Sequence, residues 1–265
     1  MKARVLILHA PGTNRDREAA WACAQAGGDP EIVTTRALLQ DQRRLLDYAM
    51  LLLPGGFSFG DDLGAGQVWG LTLRQRLGED LETFVRAGRP VLGICNGFQA
   101  LVRSGLLPGD PDGGAWSPSR GVTLTRNASA RFECRWVTLA PTPKSVCVFT
   151  QDLDEPIACP SAHGEGRLYA RDEADLDALE ARGQVALRYV APDLTPAAYP
   201  HNPNGSMRDI AGLCNPAGNV LGLMPHPEDH ISPEQHPLFG QGWRGRSGLA
   251  LFRAGLRHAS RVGGA

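Results

Sequence analysis

Apolar residues in the first hundred positions fall into short unbroken runs, each followed by a stretch of helical spacing. Residues 4–9 read Arg-Val-Leu-Ile-Leu-His and stop at Pro11-Gly12, as a strand buried on both faces would. Ala19, Ala20, Cys23 and Ala24 then recur at helical spacing within 15–27, ended by Gly27-Gly28. The same reading predicts a strand over 31–34, a helix over 36–46 and a strand over 48–53 closed by Pro54-Gly55-Gly56. Leu71, Leu73, Leu77, Leu81, Phe84 and Val85 form a stripe that predicts one helix over 70–87. A strand over 90–94 and a helix over 96–104 complete the series. Such alternation predicts an α/β fold, an open and mostly parallel sheet with helices on both faces.

Beyond it the pattern changes. Residues 108–121 are rich in Pro and Gly and read as a surface loop. Phe132, Cys134 and Trp136 then alternate with Arg131, Glu133 and Arg135, the period of a half-exposed strand. Residues 192–209 are irregular, 219–224 read as a late strand, and Leu249, Phe252 and Leu256 mark a closing helix. Neither an internal repeat nor a linker divides the chain, so residues 1–265 are expected to form one domain.

Charge and composition mainly exclude. Twenty-seven basic and 28 acidic residues leave a formal charge of −1, without the basic run that nucleic acid or a lipid surface would need. The apolar part of the N-terminus is too short for a signal peptide, and no run approaches the ~18 residues of a membrane span. The cysteines at 23, 95, 134, 147, 159 and 214 include no C-x-x-C pair, which favours free thiols and a cytoplasmic location.

Candidate chemistry collects at strand ends. Gly93-Ile94-Cys95-Asn96-Gly97 joins a predicted strand to a predicted helix, the strained elbow that presents a nucleophile, here with cysteine in the serine position. Unpaired N–H groups at the helix start favour the thiolate. A buried structural cysteine is the plainer alternative. A nucleophile needs a base and an orienter, and Met224-Pro-His-Pro-Glu228 supplies both. Pro227 keeps His226 out of the helical region, and in an extended segment Glu228 lies on the same side as His226. The alternatives are a metal held by His226, Glu228 and His230, or a polar loop without chemistry. Pro54-Gly55-Gly56 follows another strand end and can bring a bare backbone N–H beside that of Asn96, an oxyanion hole. Neither nucleotide fingerprint fits this loop. Its glycines at 55, 56, 60, 64 and 66 predict a backbone with little preference of its own, to be set by a partner.

The G-x-Cys-x-G elbow, the distant His-Pro-Glu and the PGG loop together resemble the class I glutamine amidotransferases. Pro11-Gly-Thr-Asn-Arg-Asp16, Pro54-Gly-Gly-Phe-Ser-Phe-Gly-Asp-Asp62, Asn127-Ala-Ser-Ala-Arg-Phe-Glu133, His163-Gly-Glu-Gly-Arg167 and Asn202-Pro-Asn-Gly-Ser206 narrow the likeness to the glutaminase subunits of phosphoribosylformylglycinamidine synthase. The resemblance runs from about residue 5 to 230. It implies a flavodoxin-like fold and hydrolysis of glutamine by Cys95, His226 and Glu228, with the N–H groups of Gly56 and Asn96 holding the oxyanion. It also implies glutamine contacts from Gly55, Phe57, Gln99, Asn127, Ser129 and Phe132, and no metal. His163 and Arg167 read as loop-ordering or interface residues. Ammonia would pass to a synthetase subunit, with or without a small third subunit, and ATP and Mg would be needed there, with no cofactor in this chain. A stand-alone cysteine amidase or glutamyl hydrolase of the same fold is the alternative. Two positions depart from the family pattern: Arg15 stands where cysteine is common, and Asp229 where arginine usually follows His-Pro-Glu.

Overall fold

The computed structural model describes residues 2–117 and 121–263. Its first half comprises β1 (Arg4–His9), α1 (Asp16–Gln25), β2 (Asp29–Thr34), α2 (Thr35–Leu39), β3 (Met50–Leu53), α3 (Gln67–Arg76), α4 (Gly78–Arg86), β4 (Val91–Ile94) and α5 (Asn96–Ser104). The second half adds β5 (Val122–Thr125), β6 (Glu133–Pro141), β7 (Ile157–His163), β8 (Arg167–Ala170), α6 (Glu173–Ala181), β9 (Val185–Val190), β10 (Ile210–Cys214), β11 (Val220–Leu223) and α7 (Leu249–Val262). Nine strands form one sheet in the order β2-β1-β3-β4-β11-β10-β9-β6-β7, and β5 pairs with β8 in a separate ribbon. From β2 to β11 every pairing is parallel. From β11 to β7 every pairing is antiparallel. The sheet is therefore mixed, with its parallel half built from the segments of continuous apolar sequence.

Helices cover both faces of that half. Met50 and Leu53 are three residues apart on β3 and so point to opposite faces. The first lies against Gly255 of α7, and the second against Gly97 of α5. All four residues of β3 and of β4 are buried, which explains why their sequences show no polar alternation. Four neighbouring strands, β1, β3, β4 and β11, run in the same direction and bring their carboxyl ends together. The loops that follow them begin at Ala10, Pro54, Cys95 and Met224. In open α/β sheets this edge is where ligands bind.

Several local expectations are corrected. The stripe predicted as one helix over 70–87 is two helices, α3 and α4, broken at Leu77, whose φ of −122° and ψ of 10° are not helical. The helix predicted over 36–46 stops at Leu39, and only Leu45–Asp47 returns to a 3₁₀ turn. In β6 the alternation is present but faces the other way. Glu133, Val137 and Leu139 are buried, while Phe132 and Cys134 are exposed. Glu133 can face inward because its carboxylate accepts from Ser129 Oγ at 2.8 Å and pairs with Arg135. A buried carboxylate is tolerated only when paired and hydrogen-bonded in this way. Of the loop predicted over 108–121, residues 118–120 lie outside the described residues.

The approach of α5 to β3 sets the tightest constraint on sequence. A Cβ at Gly97 would sit 2.0 Å from the Leu53 carbonyl oxygen, and one at Gly93 would sit 2.5 Å from Leu101. Alanine in place of a helical glycine gains up to about 1 kcal/mol in intrinsic propensity. Overpacking a rigid contact costs about 1–3 kcal/mol. The steric effect should dominate, so Gly97→Ala is expected to lower the midpoint of urea unfolding; an unchanged or raised midpoint would contradict the packing described.

Candidate active site

Cys95 occupies the step between β4 and α5 with φ 50° and ψ −106°. A non-glycine residue in this region carries strain of order 1–3 kcal/mol, tolerated where the surroundings fix it. Two backbone bonds fix it here: its N–H donates to the Leu223 carbonyl at 2.8 Å, and its carbonyl accepts from Gln99 N at 3.0 Å. The thiol lies 3.8 Å from the Ala162 carbonyl oxygen. As the residue preceding the helix, Cys95 stands beside first-turn N–H groups that have no carbonyl to bond. Gly93 and Gly97 flank it for the steric reasons already given.

His226 follows β11 and is placed by its own N–H, which donates to the Pro160 carbonyl at 2.7 Å. Its backbone is non-helical, with φ −104° and ψ 85°, as expected for a residue before proline. The next three residues, Pro227–Asp229, make a 3₁₀ turn rather than the continued extended segment expected from the sequence. Glu228 nevertheless reaches the ring: His226 Nδ1 donates to Glu228 Oε1 at 2.7 Å, leaving Nε2 for the thiol side. Both side chains are buried. Burial alone disfavours a charged imidazole, but the Glu228 carboxylate and then the Cys95 thiol outweigh it and hold His226 well above the usual histidine range. The site is thus arranged to keep a proton on His226.

The loop after β3 closes the third side. A Cβ at Gly55 would lie 2.7 Å from His226 Cε1 and 3.4 Å from Cys95 Cβ, so only a glycine lets this backbone reach both. Among the described residues, Gly56 N–H has no hydrogen-bond partner. Its neighbours are tied: Phe57 N donates to Gly12 O at 3.0 Å, Ser58 N to Asn96 Oδ1 at 2.9 Å, and Gly66 N to Asp61 Oδ1 at 3.3 Å. Asn96 Nδ2 returns a bond to Asp61 Oδ1 at 3.1 Å. The loop expected to lack a preferred conformation is therefore held in one. Gly55, Gly56 and Gly66 serve close approach, whereas Gly64 serves a positive φ of 104° in open space.

These features line a cavity of about 380 Å³ whose wall includes Cys95, His226, Gly56, Phe57, Gln99 and Phe132. The chain matches the CobB/CobQ-like glutamine amidotransferase domain over residues 2–259. It belongs to that family. It is 46% identical over 272 aligned positions to phosphoribosylformylglycinamidine synthase subunit PurQ of Treponema denticola, covering 97% of this chain and 99% of the relative. Identity to the subunit of the same name from Dehalococcoides mccartyi is 41%, covering 98% and 99% of the two chains. Among solved structures, a chain of PurLQS from Thermotoga maritima superposes with a TM-score of 0.71 at 34% identity, covering 97% of this chain and 99% of that one.

The amidotransferase fold places some of the sequence-predicted residues at the cavity and leaves others behind it. Gln99 lines it, but its amide is engaged, donating to Glu165 O at 2.5 Å and accepting from Asn96 at 2.9 Å. Asn127 and Ser129 are not on the wall. Asn127 spends its side chain inside the protein, donating to Arg131 O and His163 O and accepting from Gly166 N. Ser129 donates to Glu133. Their bonds run to the 163–166 loop and to β6. His230, considered with His226 and Glu228 as a metal ligand, instead donates from Nδ1 to the Ala158 carbonyl and packs edge-on against Trp136. Ligand atoms of His226, Glu228 and Asp229 do fall within 4.8 Å of one another, with His226 and Glu228 committed to each other.

The sequence reading missed Asn14, Arg15, Asp61 and Glu165 as cavity residues. Each lies inside a motif quoted for the family, so position in a motif was the available signal. His163 also lines the cavity. Its ring bonds Ser161 Oγ at 2.8 Å and Asn127 Oδ1 at 3.2 Å, and burial followed by the neighbouring His226 pushes its pKa down to about 4. It is neutral at physiological pH. Asp61 is raised by burial, against the bonds it accepts from Gly66 and Asn96. Substituting Glu228→Gln removes the charge that holds the proton on His226 while keeping the side chain's size. Single-turnover acylation is expected to slow by roughly 10²–10⁴-fold without disappearing; acylation at the native rate would show that the pair does not set the imidazole's state.

Proposed function

We propose that this chain is the glutaminase subunit of a phosphoribosylformylglycinamidine synthase. It would release ammonia from glutamine for a synthetase subunit that converts formylglycinamide ribonucleotide to formylglycinamidine ribonucleotide in purine biosynthesis. The observation that carries the reading is the Cys95–His226–Glu228 arrangement, found within a chain alignable almost end to end with PurQ subunits. Likeness to a chain of PurLQS supports the synthetase as partner.

In this reading Cys95 Sγ, its proton passed to His226, attacks the side-chain amide carbon of glutamine. The oxyanion of the tetrahedral intermediate is held by the N–H groups of Gly56 and Asn96. His226 then protonates the departing nitrogen, ammonia leaves, and a glutamyl thioester remains on Cys95. A water that gives its proton to His226 attacks the thioester, releasing glutamate and restoring the thiol. Glu228 holds the imidazole in one tautomer and stabilises its charged form at the two points where His226 carries the extra proton. The carboxylates of Asp61 and Glu165 on the cavity wall complement the α-ammonium group of the substrate. ATP and magnesium belong to the synthetase, and no cofactor is assigned to this chain.

Among the described residues, no helix is long and apolar enough to cross a membrane. All six cysteines are free thiols, which supports a reducing compartment, the cytoplasm, for this reaction. Replacing Cys95 with Ala in the reconstituted complex is expected to abolish glutamine-dependent synthesis while ammonia-dependent synthesis continues at its native rate. Retained glutaminase turnover in that variant would overturn the assignment, and equal loss of both activities would argue against a separate ammonia-producing site.

A further inference from the structure

The two positions that depart from the family pattern meet each other. Arg15 Nε lies 3.3 Å from Asp229 Oδ2. The backbone N–H of Arg15 also donates to the Gly55 carbonyl at 3.3 Å. One residue therefore touches both sides of the site: the loop that presents Gly55 and Gly56, and the turn that presents His226 and Glu228. Arg15 thus bridges the two segments, by its backbone to the loop and by its side chain to the turn. The loop is also tied to Pro11, Gly12, Thr13, Asn14 and Asn96, and the turn to Pro160, with Gly248 bonded to His230 just after it.

We propose that Arg15 and Asp229 form an ionic clasp that holds the Glu228 turn in register with the oxyanion loop, making both of them positioning residues for ammonia release. The proposal rests on the Cys95–His226–Glu228 reading given above. Its physical basis is the shared seat of His226. The ring is bounded by Gly55 on one side and bonded to Glu228 on the other, so a relative slip of loop and turn displaces the oxyanion donor and the proton carrier together. A misplacement of ~1 Å can cost about a hundredfold in rate. Because both side chains of the clasp reach solvent, at 41% and 22%, the pair adds little to global stability. Its effect should appear in turnover.

Electrostatics give the clasp a pH signature. Burial, then the adjacent Glu228 carboxylate, push the Asp229 pKa up to about 6, against the lowering influence of His226 and Arg15. The charged or titratable groups around it are Arg15 and Glu18 from the α1 end, Cys159 of β7, and His226 and Glu228 of its own turn. Asp229 is charged at neutral pH and takes up a proton as pH falls through about 6, which ends its ion pair with Arg15 and leaves Arg15 beside Glu18 at 3.4 Å. With Arg15 replaced by an uncharged side chain there is no clasp left to release, so this loss should be absent.

The test uses Arg15→Met, Arg15→Lys, Asp229→Asn and the double variant Arg15→Met/Asp229→Asn, each assayed as glutaminase in complex with the synthetase. Near neutral pH, Arg15→Met and Asp229→Asn are each expected to lower kcat by about tenfold with KM changed less than about twofold. The double variant should be no slower than either single one, and Arg15→Lys should recover most of the rate. The Asp229 component of the acid limb of the kcat profile should be lost in both Arg15→Met and Asp229→Asn. Thermal unfolding should be nearly unchanged throughout. A raised KM at native kcat would make Arg15 a substrate contact, and multiplicative losses in the double variant would make the two residues independent. Either result, or native kcat in both single variants, overturns the clasp. Cys95→Ala in the same assay keeps the two readings apart, since residual turnover there would refute the triad itself.

Discussion

Everything at this site depends on how closely α5 is pressed onto the end of β3. The absence of side chains at Gly93 and Gly97 lets the helix begin immediately after β4, and that leaves Cys95 at φ 50° with no room to relax. The strain is local, but its support is spread over the sheet: the Cys95 N–H is held by β11, and its carbonyl by the first turn of α5. The parallel half of the sheet then determines what the thiol can meet. The ends of β3 and β11, which flank β4, deliver the Gly55–Gly56 backbone and the His226–Glu228 turn, and the end of β1, beyond β3, delivers the Gly12–Arg15 loop.

Charge is distributed in a graded way across these pieces. Glu228 is wholly buried and balanced by His226, which it helps to keep protonated against the cost of burial. Asp229 lies next to it, nearer to solvent, and is balanced by Arg15. His163, on the opposite wall, is kept neutral by burial and by the same imidazole. A second cation at His163 would compete with His226 for the carboxylate's field, so its neutrality leaves a single proton carrier in the cavity. The antiparallel half of the sheet supplies this wall, which explains why the mixed topology matters to the chemistry.

The fold of the first hundred residues was legible mainly because β1, β3 and β4, buried over most of their length, read as nearly unbroken apolar runs. The elbow was legible for the same reason: Gly93 and Gly97 are demanded by contacts that any such elbow makes. Leu77 shows the limit, since a continuous apolar stripe persists through a break that only backbone geometry reveals. The facing of β6 was unreadable without the Ser129–Glu133–Arg135 bonds that make an inward carboxylate tolerable. Asn127 and Ser129 were singled out by motif, and their polar atoms bond within the scaffold. The link between Arg15 and Asp229, more than two hundred positions apart, left no trace in spacing or periodicity.

The central claim is that Cys95, among six free thiols, forms the covalent intermediate. Acid-quenching the complex during turnover with glutamine and mapping the modified peptides by mass spectrometry tests it most directly. The account predicts one glutamyl group, carried by the peptide containing Cys95 and by no other cysteine peptide. A glutamyl group on Cys23, Cys134, Cys147, Cys159 or Cys214 in its place would contradict it.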